Sequence, residues 1–259
     1  MSNLFGDMQK VGDLFMKAFK FFASAVCALI LAATCCAALN AGTAEDGAAS
    51  AIGRLLINEL APEKIEVAVS EGVEKAWVRC RGSKLSGLRV ELMELSASLA
   101  ANPAVKESAA SLAEVISESK GRMILKEEDV NEYFANGRNA GVFSDMRFRF
   151  LHKGFTASGK FESDLLFTKI ELELEAKGKL ALRSDGVYLE ETDMSLEGVR
   201  QPRRVTEFII GRINPLLSFS KISFPVNFTS VDIAKGTIAL NGKVEKIAAA
   251  GAYKWSGAD

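Results

Sequence analysis

Between residues 146 and 182 apolar and polar side chains alternate almost without interruption. Met146, Phe148 and Phe150 alternate with Arg147, Arg149 and Leu151, and Phe155, Ala157 and Phe161 continue on one face after Lys153-Gly154. Ile170-Glu171-Leu172-Glu173-Leu174-Glu175-Ala176-Lys177 then alternates without error. A period of two belongs to antiparallel strands with one face packed and the other in water. Gly178 and Ser184-Asp185-Gly186 are expected to turn the chain, with Leu180 and Leu182 on the returning strand. From Val187 to Leu196 the apolar set changes parity, from Val187 and Leu189 to Met194 and Leu196. That change predicts a bulge near Glu190 or Glu191 and a bend in the sheet.

The flanking segments mix helical and strand periods. Ile52, Leu55, Leu56 and Leu60 predict a helix over 51–60, stopped by Pro62, after a small polar linker at 43–50. Ile65, Val67 and Val69 predict a strand, and 73–80 and 88–92 two more, separated by Arg81-Gly82-Ser83 and Gly87. Val105, Ala109, Leu112 and Ile116 predict a helix over 103–116. A short apolar strand after Gly121 runs into a helix whose stripe is Val130, Tyr133 and Phe134. Its first turn, Glu127, Glu128 and Asp129, complements the helix dipole and reads as a solvated start rather than a metal site. Val205, Phe208, Ile209 and Ile213 predict a helix ended by Asn214-Pro215. A last hairpin turns at Ala234-Lys235-Gly236, and residues 243–259 read as a flexible tail.

Residues 1–44 change the expected location. Lys10, Lys17 and Lys20 precede an apolar run from Phe21 to Leu39, the form of a signal peptide or of a retained membrane anchor. Gly42-Thr43-Ala44 offers a small-x-small cleavage site. In either version the body faces outward from the cytoplasmic membrane, in the periplasm or cell envelope. Basic and acidic residues number 32 and 33, so no basic field attracts nucleic acid. Three of the four cysteines sit in the apolar run, which leaves Cys80 alone in the body and excludes a disulfide framework there.

Two stretches carry a resemblance. One is the final hairpin, Val231-Asp232-Ile233-Ala234-Lys235-Gly236-Thr237-Ile238-Ala239-Leu240-Asn241-Gly242, and the other is the strand-to-helix step from Gly121 through Glu127-Glu128-Asp129-Val130-Asn131. Together they resemble the LmeA-like phospholipid-binding family of the bacterial cell envelope. Lys126 departs from the family's pattern, standing where a Thr or Ser would cap the helix. The resemblance runs from about Ile52 to Gly242 and implies a domain over 45–242. It also implies an α+β fold of the tubular lipid-binding kind: a long curved antiparallel sheet wrapped around a few helices, with an apolar groove.

What the resemblance implies for function is non-catalytic phospholipid binding at a membrane surface, without cofactor. The residues expected to line the lipid site are Phe148, Phe150, Phe155, Phe161, Leu172, Leu174, Phe208, Leu216, Leu217, Phe219 and Phe224. Residues 215–224 fit neither period and carry one charge, Lys221, so Leu216, Leu217 and Phe219 are expected at a groove mouth. Two alternatives stay open: these side chains fill a dry core, or the protein is an envelope scaffold without ligand. No nucleophile–base set, P-loop, G-x-G-x-x-G or C-x-x-C is present, and the single histidine, His152, stands alone beside Lys153-Gly154.

Overall fold

A computed structural model describes residues 43–100, 111–135, 142–165, 168–220 and 222–257. The expected signal or anchor segment, most of the helix expected over 103–116, and Lys221 lie outside these residues.

Helix α1 spans Ala44–Leu60 and begins where a linker was expected. Its buried face, Ala48, Ala49, Ile52, Leu56 and Leu60, keeps a helical period through the supposed linker, which small residues had masked. Then follow β1 (Lys64–Val69), β2 (Lys75–Leu85) and β3 (Leu88–Leu99). Arg81-Gly82-Ser83 does not separate two strands. Gly82, at φ +62°, lies inside β2, and the hairpin turns instead at Ser86-Gly87, where both residues have positive φ. One helical turn, α2 (Leu112–Val115), leads into β4 (Ile116–Lys126) and α3 (Glu127–Ala135).

The alternating region forms β5 (Phe143–Leu151), β6 (Gly154–Leu165), β7 (Thr168–Arg183) and β8 (Gly186–Leu196). Gly178 does not turn the chain; β7 runs straight through it, because its missing Cβ lets the Glu190 carbonyl and the Phe155 ring approach. The expected bulge is present: the β7–β8 register shifts opposite Gly178, and Glu191 takes φ +45°. The chain closes with β9 (Val199–Arg200), α4 (Arg203–Ile210), β10 (Leu217–Ser218), β11 (Ser230–Ala234), β12 (Thr237–Asn241) and β13 (Gly251–Ser256).

Among the described residues the pairings between named strands are antiparallel and helices accompany them, so the fold is α+β, but the strands divide between two sheets. The first runs β11-β12-β4-β3-β2-β1-β13 and the second β10-β8-β7-β6-β5, with β9 on β8. The segment expected as a flexible tail holds a strand. β13 pairs with β1 from Lys64↔Ser256 to Val69↔Gly251, and the Ala252 N–H donates to Asp46 of α1 at 3.0 Å. The folded unit therefore extends from Ala44 past the expected end at Gly242. One continuous apolar core serves both sheets.

Helix α3 joins the sheets and closes an exposed edge. β5 is the outer strand of the second sheet. The Asn131 side chain accepts from the Phe148 N–H at 2.6 Å and donates to the Phe148 carbonyl at 3.0 Å, and Glu127 accepts from the Phe150 N–H at 2.7 Å. These are the groups a bare edge would present to another chain. Near the sheet's other end, Asn214 grips Leu189 of β8 in the same way, at 2.8 and 3.0 Å.

Candidate functional site

The eleven expected lipid-site residues separate by burial into three groups. Phe148, Phe150, Phe155, Leu174, Leu216, Leu217 and Phe224 are buried in the common core. Phe148 stacks against Phe134 of α3 at 5.0 Å and Phe155 at 6.3 Å. Phe161, Leu172 and Phe219 are half-buried, with Phe161 against Phe143 at 5.6 Å and Phe219 against Phe228 at 5.1 Å. None of the eleven lines any of the clefts described below. The expected groove mouth is a closed edge: Leu217 and Ser218 pair with Val187 and Gly186, which turns Leu217 into the core.

Phe208 behaves differently. It is 62% exposed, on α4. The expected stripe is divided: Ile209 is buried and Ile213 packs against the core, whereas Val205 and Phe208 face outward; Thr206 and Ile210, outside the expected stripe, are buried with Ile209. At 100° per residue, Arg204 falls on the outward face beside them, and Arg212 follows in the turn after the helix. The Arg212 guanidinium lies 5.2 Å from the centre of the Phe208 ring. Glu207 falls on the flank and pairs with Arg203 at 2.6 Å, so no acid interrupts this face. Val199, 65% exposed, stands just before Arg200 in the short strand leading into the helix. Three of the four exposed large apolar residues among those described therefore lie within 199–208, interleaved with arginines.

Beside this surface lies a cleft of about 1040 Å³ between α4 and β8, lined among others by Arg183, Glu190, Arg203, Glu207 and Asn214. It shares Asp193 and Arg200, ion-paired at 2.5 Å, with a second cleft of about 750 Å³ on the polar face of the second sheet. Arg147 and Arg149 on β5 and Lys177 on β7 line the second cleft, with Thr156, Ser158 and Glu175 between them. Period-two reasoning had read this face as solvated surface. Register was the missing information, because only strand pairing brings Arg149 and Lys177 into one row across Thr156.

The acidic first turn of α3 is solvated only in part: Glu128 is exposed and Glu127 half-buried, but Asp129 is not. Asp129 is buried and lies 3.3 Å from Arg89, which also pairs with Glu63 at 2.9 Å and Glu91 at 3.0 Å. Burial pushes the Asp129 carboxyl above its ordinary range despite Arg89. In Glu91 burial acts in the same sense, but hydrogen bonds from Arg89 and Lys126 outweigh it and hold the carboxyl low. These contacts tie α3 to the first sheet. Burial pushes the Cys80 thiol up to about 12, which keeps it a neutral core group. His152 is exposed in the β5–β6 turn. Among the described residues no group of acidic, histidine or cysteine side chains is arranged to hold a metal ion, and no helix is long and apolar enough to cross a membrane.

Compared with known protein families, characterised proteins and solved structures, the chain matches none.

Proposed function

We propose that this chain is a non-catalytic phospholipid-binding protein working at a membrane surface in the bacterial cell envelope, outside the cytoplasm. One observation carries the reading: the outward face of α4, where Phe208 and Val205 stand in water beside Arg204, with Arg212 of the following turn over the Phe208 ring. Apolar side chains at the level of the acyl boundary, with arginines at the level of the phosphates, are what an interfacial helix presents to a bilayer. The resemblance to the LmeA-like family and its tubular lipid-binding architecture belongs to this proposal, as does the charged-then-apolar N-terminus. Contact with lipid is assigned here to α4 rather than to an internal groove, because the candidate groove residues are largely core.

The test is co-sedimentation of the protein with vesicles, comparing wild type and Phe208→Asp. Removing the ring from the interface forfeits about 1.5–3 kcal/mol, so binding weakens roughly tenfold or more. The melting temperature stays close to wild type, since the ring covers little of the core. Undiminished binding by the variant overturns the assignment. The second reading, an envelope scaffold with a dry core and no ligand, is favoured by the close packing of Phe134, Phe148 and Phe155. It predicts no vesicle binding by the wild type.

A further inference from the structure

The polar face of the second sheet carries charges that its own fold does not use. Most of its ionic side chains are paired across strands: Lys179 with Glu191, Arg183 with Glu190, Arg200 with Asp193 and Lys160 with Glu171. Arg147, Arg149 and Lys177 have no ion-pair partner among the described residues, and all three line the same cleft. Glu175 is the one unpaired acid in that cleft. Glu132 and Asp145 lie beyond Arg147 in a neighbouring cleft, so the excess of positive charge is greatest at Arg149 and Lys177.

The register gives the spacing. Arg149 pairs with Thr156, and Thr156 with Lys177, so the two cations flank one threonine from strands two apart. At about 4.8 Å per strand their backbones are roughly 10 Å apart, and both side chains are long enough to close on one anion above Thr156. Ser158, one row away and opposite Arg147, supplies a second hydroxyl. Two cations with hydroxyl donors between them suit a tetrahedral oxyanion, which arginine binds through two parallel hydrogen bonds. A cleft of about 750 Å³ is far larger than one phosphate and has room for the group esterified to it.

We propose that this cleft takes the phosphate of an anionic glycerophospholipid headgroup, held by Arg149 and Lys177 with Arg147 and the Thr156 and Ser158 hydroxyls around it. The assignment rests on the membrane-surface reading above and adds a headgroup site to it. Continuity favours a lipid source: the cleft meets the α4 cleft at the Asp193–Arg200 pair, and Arg200 follows the exposed Val199. A headgroup drawn into the cleft would leave its glycerol and chains toward the apolar side chains of 199–208.

The experiment uses the full chain and three probes: inorganic phosphate, a water-soluble short-chain phosphatidylglycerol, and vesicles of phosphatidylcholine with or without phosphatidylglycerol. The variants are R149Q/K177Q and a charge-matched control, R54Q/K84Q, whose cations line none of these clefts. Calorimetry should show wild type and control binding the short-chain lipid, and R149Q/K177Q binding it at least roughly tenfold more weakly, the loss of one charge-assisted hydrogen bond. The extra vesicle binding conferred by phosphatidylglycerol should vanish in R149Q/K177Q while binding to phosphatidylcholine alone persists. In the wild type the short-chain lipid should protect Lys177, and not Lys84, from amine labelling, a readout independent of any variant. Equal losses in the control, or an unprotected Lys177, overturn the proposal. Equal affinity for inorganic phosphate and short-chain lipid identifies a free anion site and also overturns it. Short-chain binding that depends on Arg149 and Lys177, without binding to either vesicle, upholds the cleft and strikes down the membrane-surface reading.

Discussion

At the scale of single residues, side chains that looked alike in sequence have different work. Glu127, Asp129 and Asn131 are neighbours on one short helix. Glu127 and Asn131 close the edge of β5, whereas Asp129 is buried against Arg89. Glu91 shows how this network responds to pH. Its folded-state carboxyl titrates below the ordinary glutamate value, so the stability it adds is present above that value and is lost as pH falls through the folded one. Glu91→Gln should cost about 1 kcal/mol at neutral pH in urea unfolding, a modest sum for a partly exposed pair. The two proteins should converge in strongly acidic buffer; a constant gap at every pH would refute this role. The acidic triplet was legible as a helix start. That one member is buried was not, because Arg89 lies 40 positions away in the chain.

At the scale of elements, β10 and α4 show where periodicity stops. Leu217 lies in a two-residue strand and is 3% exposed, held by Val187 across the edge of β8. Leu217→Asp should therefore remove several kcal/mol, since it puts an unpaired charge into the core. Thermal unfolding checks this, and a melting temperature near wild type would return the residue to the surface. Helix α4 presents the opposite case. A stripe of Val205, Phe208, Ile209 and Ile213 was visible, yet Ile209 and Ile213 pack on the core while Val205 and Phe208 remain in water. Hydropathy marks the residues that prefer burial; the neighbouring elements determine which of them obtain it.

At the scale of the whole molecule, the C-terminal segment closes the first sheet. Without β13, the edge of β1 would present six residues, three of them buried apolar side chains, to solvent or to another chain. Deleting residues 243–259 should lower the melting temperature by several degrees and promote aggregation, followed by calorimetry and light scattering. A truncated protein as stable and monodisperse as the full chain would restore the free tail. The antiparallel alternation of β5 to β8 and the bulge near Glu191 were determined by the sequence alone. Each depends on which side of a strand a residue faces, and a period of two states that locally. Tertiary structure alone decided that the strands form two sheets, that β13 completes one of them, that Phe148 and Phe155 fill a core, and that Arg149 and Lys177 share a cleft. Those outcomes depend on which distant segment covers or pairs with each face, and an amphipathic pattern specifies that a face needs covering without naming what covers it.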